Sequence, residues 1–130
     1  MALSVLHHQL VDTQVDLTMT ASGSTPVAMR APFRGRITKI GCVTGAALAT
    51  SSAILTWAIN GTNITGGTVS LTSATAANTT VTSTITGSIN SSSTEANGFV
   101  KEDDAISVTP SGSATGAAGS SAFVVIKKMG

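Results

Sequence analysis

The sequence predicts an all-β chain: an antiparallel β-sandwich of jelly-roll-like form, with about eight or nine short strands. Three observations predict it. Short apolar-alternating segments recur at the spacing expected of strands in a sandwich. No segment carries a helical period. At residues 53–65, AILTWAINGTNIT, two strand-like runs flank Asn60-Gly61. Asn-Gly is the pair that best tolerates positive φ at both central positions of a type I′ hairpin turn. Leu55, Trp57 and Ile59 share one face at period two, so the sole tryptophan is expected to point into the core. A closed barrel is the alternative architecture.

Composition agrees with a folded β domain. Serine, threonine, alanine and glycine make up about half of the 130 residues, and threonine, being β-branched, fits a pleated surface. Only 10% of residues are charged and three are proline, whereas a disordered tract would carry more of both. The length suits one core, so we read residues 1–11 as an N-terminal arm and residues 12–130 as a single domain. Bulk is scarce: Phe33, Trp57, Phe99 and Phe123 are the only aromatic residues, and each is expected to matter to the core. So little bulk favours an oligomer that completes burial between subunits.

The elements follow in order. The arm, MALSVLHHQLV, holds Leu3, Val5 and Leu6 without a clear period, and is a candidate for reaching a neighbouring subunit or surface. Adjacent His7 and His8 would point to opposite faces of a strand and could not chelate one metal. Residues 14–20 alternate, with Val15, Leu17 and Met19 on one face. After a turn at 21–26, residues 27–29 begin a short strand that Pro32 confines to an edge or an end. In Gly35–Val43 the apolar residues change face, and Gly41 is the expected site of a bulge. A small-residue loop leads to the central hairpin, which ends at Gly66-Gly67. Short strands follow at 68–71 and 79–89, the latter weakly apolar. Segments 98–100 and 105–109 flank the acidic corner Lys101-Glu102-Asp103-Asp104. A glycine-rich loop then leads to SAFVVIK, residues 121–127, apolar on both faces and so a central strand.

No catalytic constellation emerges. Both histidines lie in the arm, and no pair of carboxylates is marked out as a glycosidase pair. We therefore expect a protein that is not an enzyme, needs no cofactor and holds no metal; a small hydrolase built on His7 and His8 is the least favoured reading. A net charge of +1 gives no general drive toward nucleic acid. No apolar run approaches the ~20 residues of a membrane span. The start of the chain lacks the basic and apolar regions of a secretory leader. Cys42 has no internal partner and is expected to be a small buried hydrophobe.

One charge pattern stands out. Arg30, Arg34, Arg36 and Lys39 hold four of the seven basic residues, and Glu95, Glu102, Asp103 and Asp104 four of the six acidic ones. Either the two segments are solvated or paired internally, or the basic segment meets an acidic partner.

The stretch APFRGRITKIGCVTGAALATSSAILTWAINGTNITGG, the later segment GFVKEDDAISV and the closing FVVIKK resemble small virion proteins of tailed bacteriophages, and among them capsid decoration, or cement, proteins. The resemblance covers residues 27–127 and is one of pattern, composition and size. It implies a small β-rich protein, often a homotrimer, that sits on the outside of the head and bridges major capsid protein subunits. It also implies assembly into virions after synthesis in the host cytoplasm. The candidate partner-facing residues are Leu3, Val5 and Leu6 of the arm and Arg30, Arg34, Arg36 and Lys39. The alternative function is a receptor- or glycan-binding module of a head or tail fibre. Against it, tyrosine is absent and Trp57 has a core-facing period.

Overall fold

The computed structural model describes residues 14–20, 25–47, 52–73, 75–86, 97–112 and 120–128. Among them are nine strands and no helix. The strands are β1 (Gln14–Thr20), β2 (Val27–Arg30), β3 (Gly35–Val43), β4 (Ala53–Ile59), β5 (Thr62–Leu71), β6 (Thr80–Thr84), β7 (Phe99–Val100), β8 (Ala105–Gly112) and β9 (Ser121–Lys128). One sheet runs β1-β9-β3-β6, with β7 also pairing β3, and the other runs β2-β8-β4-β5. Every pairing is antiparallel.

The order has a simple origin. β4 and β5 form a hairpin, β3 pairs β6 outside it, β2 pairs β8, and β1 pairs β9. These nested pairs are one long hairpin folded over on itself. The roll closes where β9 meets β3 and β8 meets β4. The two antiparallel sheets, of five and four strands, make a β-sandwich, and apart from the short β7 their strand order is jelly-roll-like.

At the tip, Asn60 has φ 50° and Gly61 φ 84°, the positive pair that a type I′ turn requires, and Ile59 stands opposite Thr62. The register so set turns Leu55 and Trp57 inward, where both are fully buried. Ile37, Ile40, Leu71, Ile106, Val108, Val124 and Ile126 complete the core from both sheets. Trp57 is the one aromatic among them. Phe33, Phe99 and Phe123 are only half-buried, so the aromatic residues are not the joint filling that their scarcity suggests. Aliphatic side chains fill the space instead.

Two irregularities depart from simple alternation. The face change in β3 comes at Thr38, where the β3–β9 register shifts between Ile37 and Lys39, and not at Gly41. The extra residue brings both Ile37 and Ile40 inward. It also marks a change of neighbour, since β7 pairs Gly35 and Arg36 while β6 pairs Lys39 to Val43. At the join, Ile85 N–H donates to Thr38 O (2.9 Å) and Ile37 N–H to Gly98 O (2.8 Å).

The second irregularity lies in β5. Its register jumps so that residues 64–67 stand opposite Trp57 alone, with Gly66 at φ 76°. The hairpin therefore does not end at Gly66-Gly67, and residues 62–71 form one bulged strand. Asn97 holds the bulge as a second peptide would. Its Oδ1 accepts from Thr65 N–H (2.9 Å), and its Nδ2 donates to Thr65 O (2.8 Å) and Thr86 O (3.0 Å).

β9 is an interior strand, as its two-sided apolarity predicts, and Val125 on its outer side is nearly buried too. The buried hydroxyl of Thr44 accepts from Thr79 N–H (2.9 Å) and donates to Ala76 O (2.7 Å), tying the 75–79 connection to the end of β3. Cys42 is fully buried, and burial pushes its thiol up to about 11.

Among the described residues, Trp57 Nε1 is a buried nitrogen with no hydrogen-bond partner. Trp57→Ala should cost about 3–5 kcal/mol. Trp57→Phe should cost less than half as much, because it also removes an unpaired N–H whose burial costs about 1–3 kcal/mol. Urea unfolding that finds the two equally costly would refute this account. For Cys42, stability should fall as pH rises from 9 toward 11, because the unfolded thiol ionises first and the folded one resists. A Cys42→Ala variant should lose that part of the pH dependence.

Candidate functional site

The structure separates the residues that the sequence groups. Leu3, Val5 and Leu6, with His7 and His8, lie outside the described residues. Arg30 is on β2 and forms an exposed ion pair with Asp103 (2.5 Å), which joins the basic segment to the acidic corner but contributes little to stability. Arg34, between β2 and β3, stacks on the Phe99 ring at 5.4 Å from its centroid. Arg36 and Lys39 are on β3, in the other sheet, on its outer side. The four cations are therefore spread over both sheets and the link between them. Sequence proximity misleads here because the chain crosses from one layer to the other at residues 31–34.

Two surfaces gather side chains that could meet a partner. The first is the outer face of the β1-β9-β3-β6 sheet. The register places Phe123 opposite both Gly41 and Thr18, and Val125 opposite Lys39 and Asp16. Gly41 is adjacent to Thr82, and Val43 to Thr80 and Ser121. The face thus has Phe123, Val125 and Val43 on its two inner strands and exposed Thr18, Thr20, Thr80, Thr82 and Thr84 along both sides. Arg36 and Lys127, opposite one another, lie toward one end, and Lys39 stands beside Val125. Gly41 makes the centre possible: a Cβ there would come within 2.6 Å of the Phe123 ring and 2.7 Å of Val81 O. The missing side chain lets the phenyl ring lie over the backbone.

The second is a cleft of about 320 Å³ at the hairpin tip, between β4–β5 and residues 97–104. Ile59, Ile64 and Phe99 supply its apolar lining, and Asn60, Asn63, Lys101 and Asp104 its polar groups. Local geometry fixes most of them. Asn60 donates its N–H to Ala105 O (2.8 Å), and its Oδ1 accepts from Ala105 N–H (2.9 Å), which fastens the turn to the start of β8. Residues 101–104 form a tight turn, with Asp104 N–H donating to Lys101 O (3.1 Å) and Asp103 at φ 73°. Asp104 Oδ2 accepts from Lys101 N–H (2.8 Å). That bond, and a second from the Asn60 side chain, hold the Asp104 carboxyl below its ordinary value. The acidic corner is also latched to the neighbouring connection, through Ala31 N–H to Asp104 O (2.8 Å) and Asp103 N–H to Ala31 O (3.0 Å).

The sequence reading missed this cleft. Asn60 was legible as a turn residue, but its side chain also serves β8, 45 residues away. Phe99 was expected in the core and instead lines the cleft, half-buried. Among the described residues, no group of histidine, cysteine, aspartate and glutamate is arranged to hold a metal ion. No protein-family profile, curated protein or solved structure matches the chain.

The depressed Asp104 carboxyl has a pH consequence. Its hold on the turn is complete above the ordinary value of 3.8 and is lost only as pH falls through its lower folded value. Followed by NMR from pH 5 downward, the Lys101 and Ala105 amides should titrate with a midpoint below 3.8. An Asp104→Asn variant should remove the transition. A midpoint at or above the ordinary value would contradict the assigned bonds.

Proposed function

We propose that the chain is a structural virion protein: a capsid decoration, or cement, protein. It binds the major capsid protein on the outer surface of a tailed-phage head and stabilises the shell. In this reading it acts as a homotrimer, is made in the host cytoplasm and resides in the virion. It is not an enzyme, uses no cofactor, and touches neither nucleic acid nor membrane directly.

The observation that carries the reading is the outer face of the β1-β9-β3-β6 sheet, with Phe123, Val125 and Val43 set among threonines. A broad sheet face is suited to contact with another protein surface more than to enclosing a small substrate. Threonine is stiff at χ1, so freezing it in a contact costs little conformational entropy. Lys39, beside Val125, adds a charge that can set orientation against an acidic partner. The sequence resemblance points to the same class of protein. The jelly roll is itself an architecture used in viral capsids, although a fold alone does not establish a function.

The test uses heads of the phage that encodes the chain, prepared without it. Light scattering should give the purified protein a mass near three times 12.9 kDa. Added to the heads, it should bind to saturation and raise their resistance to heat. Lys39→Glu combined with Thr82→Glu, both exposed positions, should weaken binding about tenfold or more while leaving the fold unchanged. Undiminished binding of that variant would rule out this face as the contact. Failure of the parent protein to bind heads would rule out the function.

A further inference from the structure

We propose that the cleft at the hairpin tip is a carbohydrate site that takes one neutral sugar residue. The inference is independent of head decoration, since the cleft and the outer sheet face use different residues.

Size and lining set the ligand class. At about 320 Å³ the cleft lies at the small end of ligand sites, so it admits a monosaccharide unit and not an extended chain. Ile59, Ile64 and Phe99 give it an apolar side, which suits the C–H face of a pyranose ring. Arg34 stacks on Phe99 and helps to fix the ring.

The polar groups narrow the class further. Asp104 is ionised at neutral pH and is bonded to the Asn60 side chain, so an acceptor and an amide donor stand side by side. A sugar hydroxyl both donates and accepts, and two neighbouring hydroxyls can use such a pair together. Asn63 and Lys101, both exposed, line the same cleft, and an amide and an ammonium add further hydrogen-bonding capacity there. Among the lining residues, Asp104 and Lys101 supply one charge of each sign. A phosphate would meet the Asp104 carboxylate, and a cationic ligand would meet Lys101. A wholly apolar ligand would strip water from both charges without replacing their hydrogen bonds. A neutral, hydroxyl-rich ligand fits all of these groups.

The cleft is also preorganised. The Asn60-Gly61 turn, the 101–104 turn and the Asn97 clamp on Thr65 position its walls through hydrogen bonds between side chains and backbone. Little ordering is then left to oppose binding.

The full-length protein can be titrated, followed by two-dimensional NMR, with glucose, galactose, mannose, N-acetylglucosamine and rhamnose, and with inorganic phosphate. At least one sugar should give saturable shifts at Asn63, Phe99, Lys101 and Asp104, with a Kd of about 1–10 mM. Asn63→Ala and Asp104→Asn should each weaken that binding about fivefold or more, and Lys39→Glu should leave it unchanged. Asn63 is exposed, so its variant serves if Asp104→Asn disturbs the turn. The proposal is overturned if no sugar shifts these amides at tens of mM, about tenfold the expected Kd. It is equally overturned if phosphate binds there in preference, or if binding survives Asn63→Ala unchanged.

Discussion

The Asn60-Gly61 turn is the constraint on which the rest of the structure depends. Two consecutive residues with positive φ reverse the chain with the hand that a twisted two-stranded ribbon needs. Outward from β4 and β5 along the chain come the nested pairs β3–β6, β2–β8 and β1–β9. A slip of one residue at the tip would turn Leu55 and Trp57 to solvent and empty the centre of the core. Asn60 strengthens the tip further, because its side chain and backbone together bond Ala105 at the start of β8. The turn thus joins the innermost pair of the roll to the strand that closes its sheet.

The bulges are where the roll changes its neighbours. Thr38 stands where the edge of β3 passes from β7 to β6, and the extra residue keeps Ile37 and Ile40 both directed inward. Residues 64–67 give β5 a local detour opposite Trp57, and Asn97 supplies the hydrogen bonds that a regular strand would have supplied. The same Asn97 brings residues 97–104 beside the hairpin tip and so forms one wall of the cleft. A structural repair and a candidate binding site share one side chain.

Much of the fold was legible because period-two patterns report which face of a strand is buried. Leu17 and Met19, Leu55 and Trp57, and Ile106 and Val108 were readable in this way. The bulge positions were not. Gly41 attracts a bulge assignment from sequence, yet its lack of a side chain serves the Phe123 ring, which comes from a strand about eighty residues later. The charge runs allow an internal pairing of the basic and acidic segments, and Arg30 does pair with Asp103, but the stacking of Arg34 on Phe99 is not written in them. Such partners are chosen by the folding of distant segments, and spacing within ten residues carries no record of them.

By itself, the sequence determined the elements: an all-β chain, a type I′ hairpin at residues 60–61, alternating strands and a closing strand apolar on both sides. These properties are local, since they arise from the φ preference of Asn-Gly and from the two-residue repeat of a strand. Only the tertiary structure decided which strands pair beyond that hairpin, where the bulges fall and which side chains meet. It laid Phe123 over Gly41 on one face, and it gathered Asn60, Asn63, Phe99, Lys101 and Asp104 around one cleft. Those outcomes depend on how the long hairpin folds over on itself. That folding buries both apolar faces against each other and brings together residues far apart in the chain.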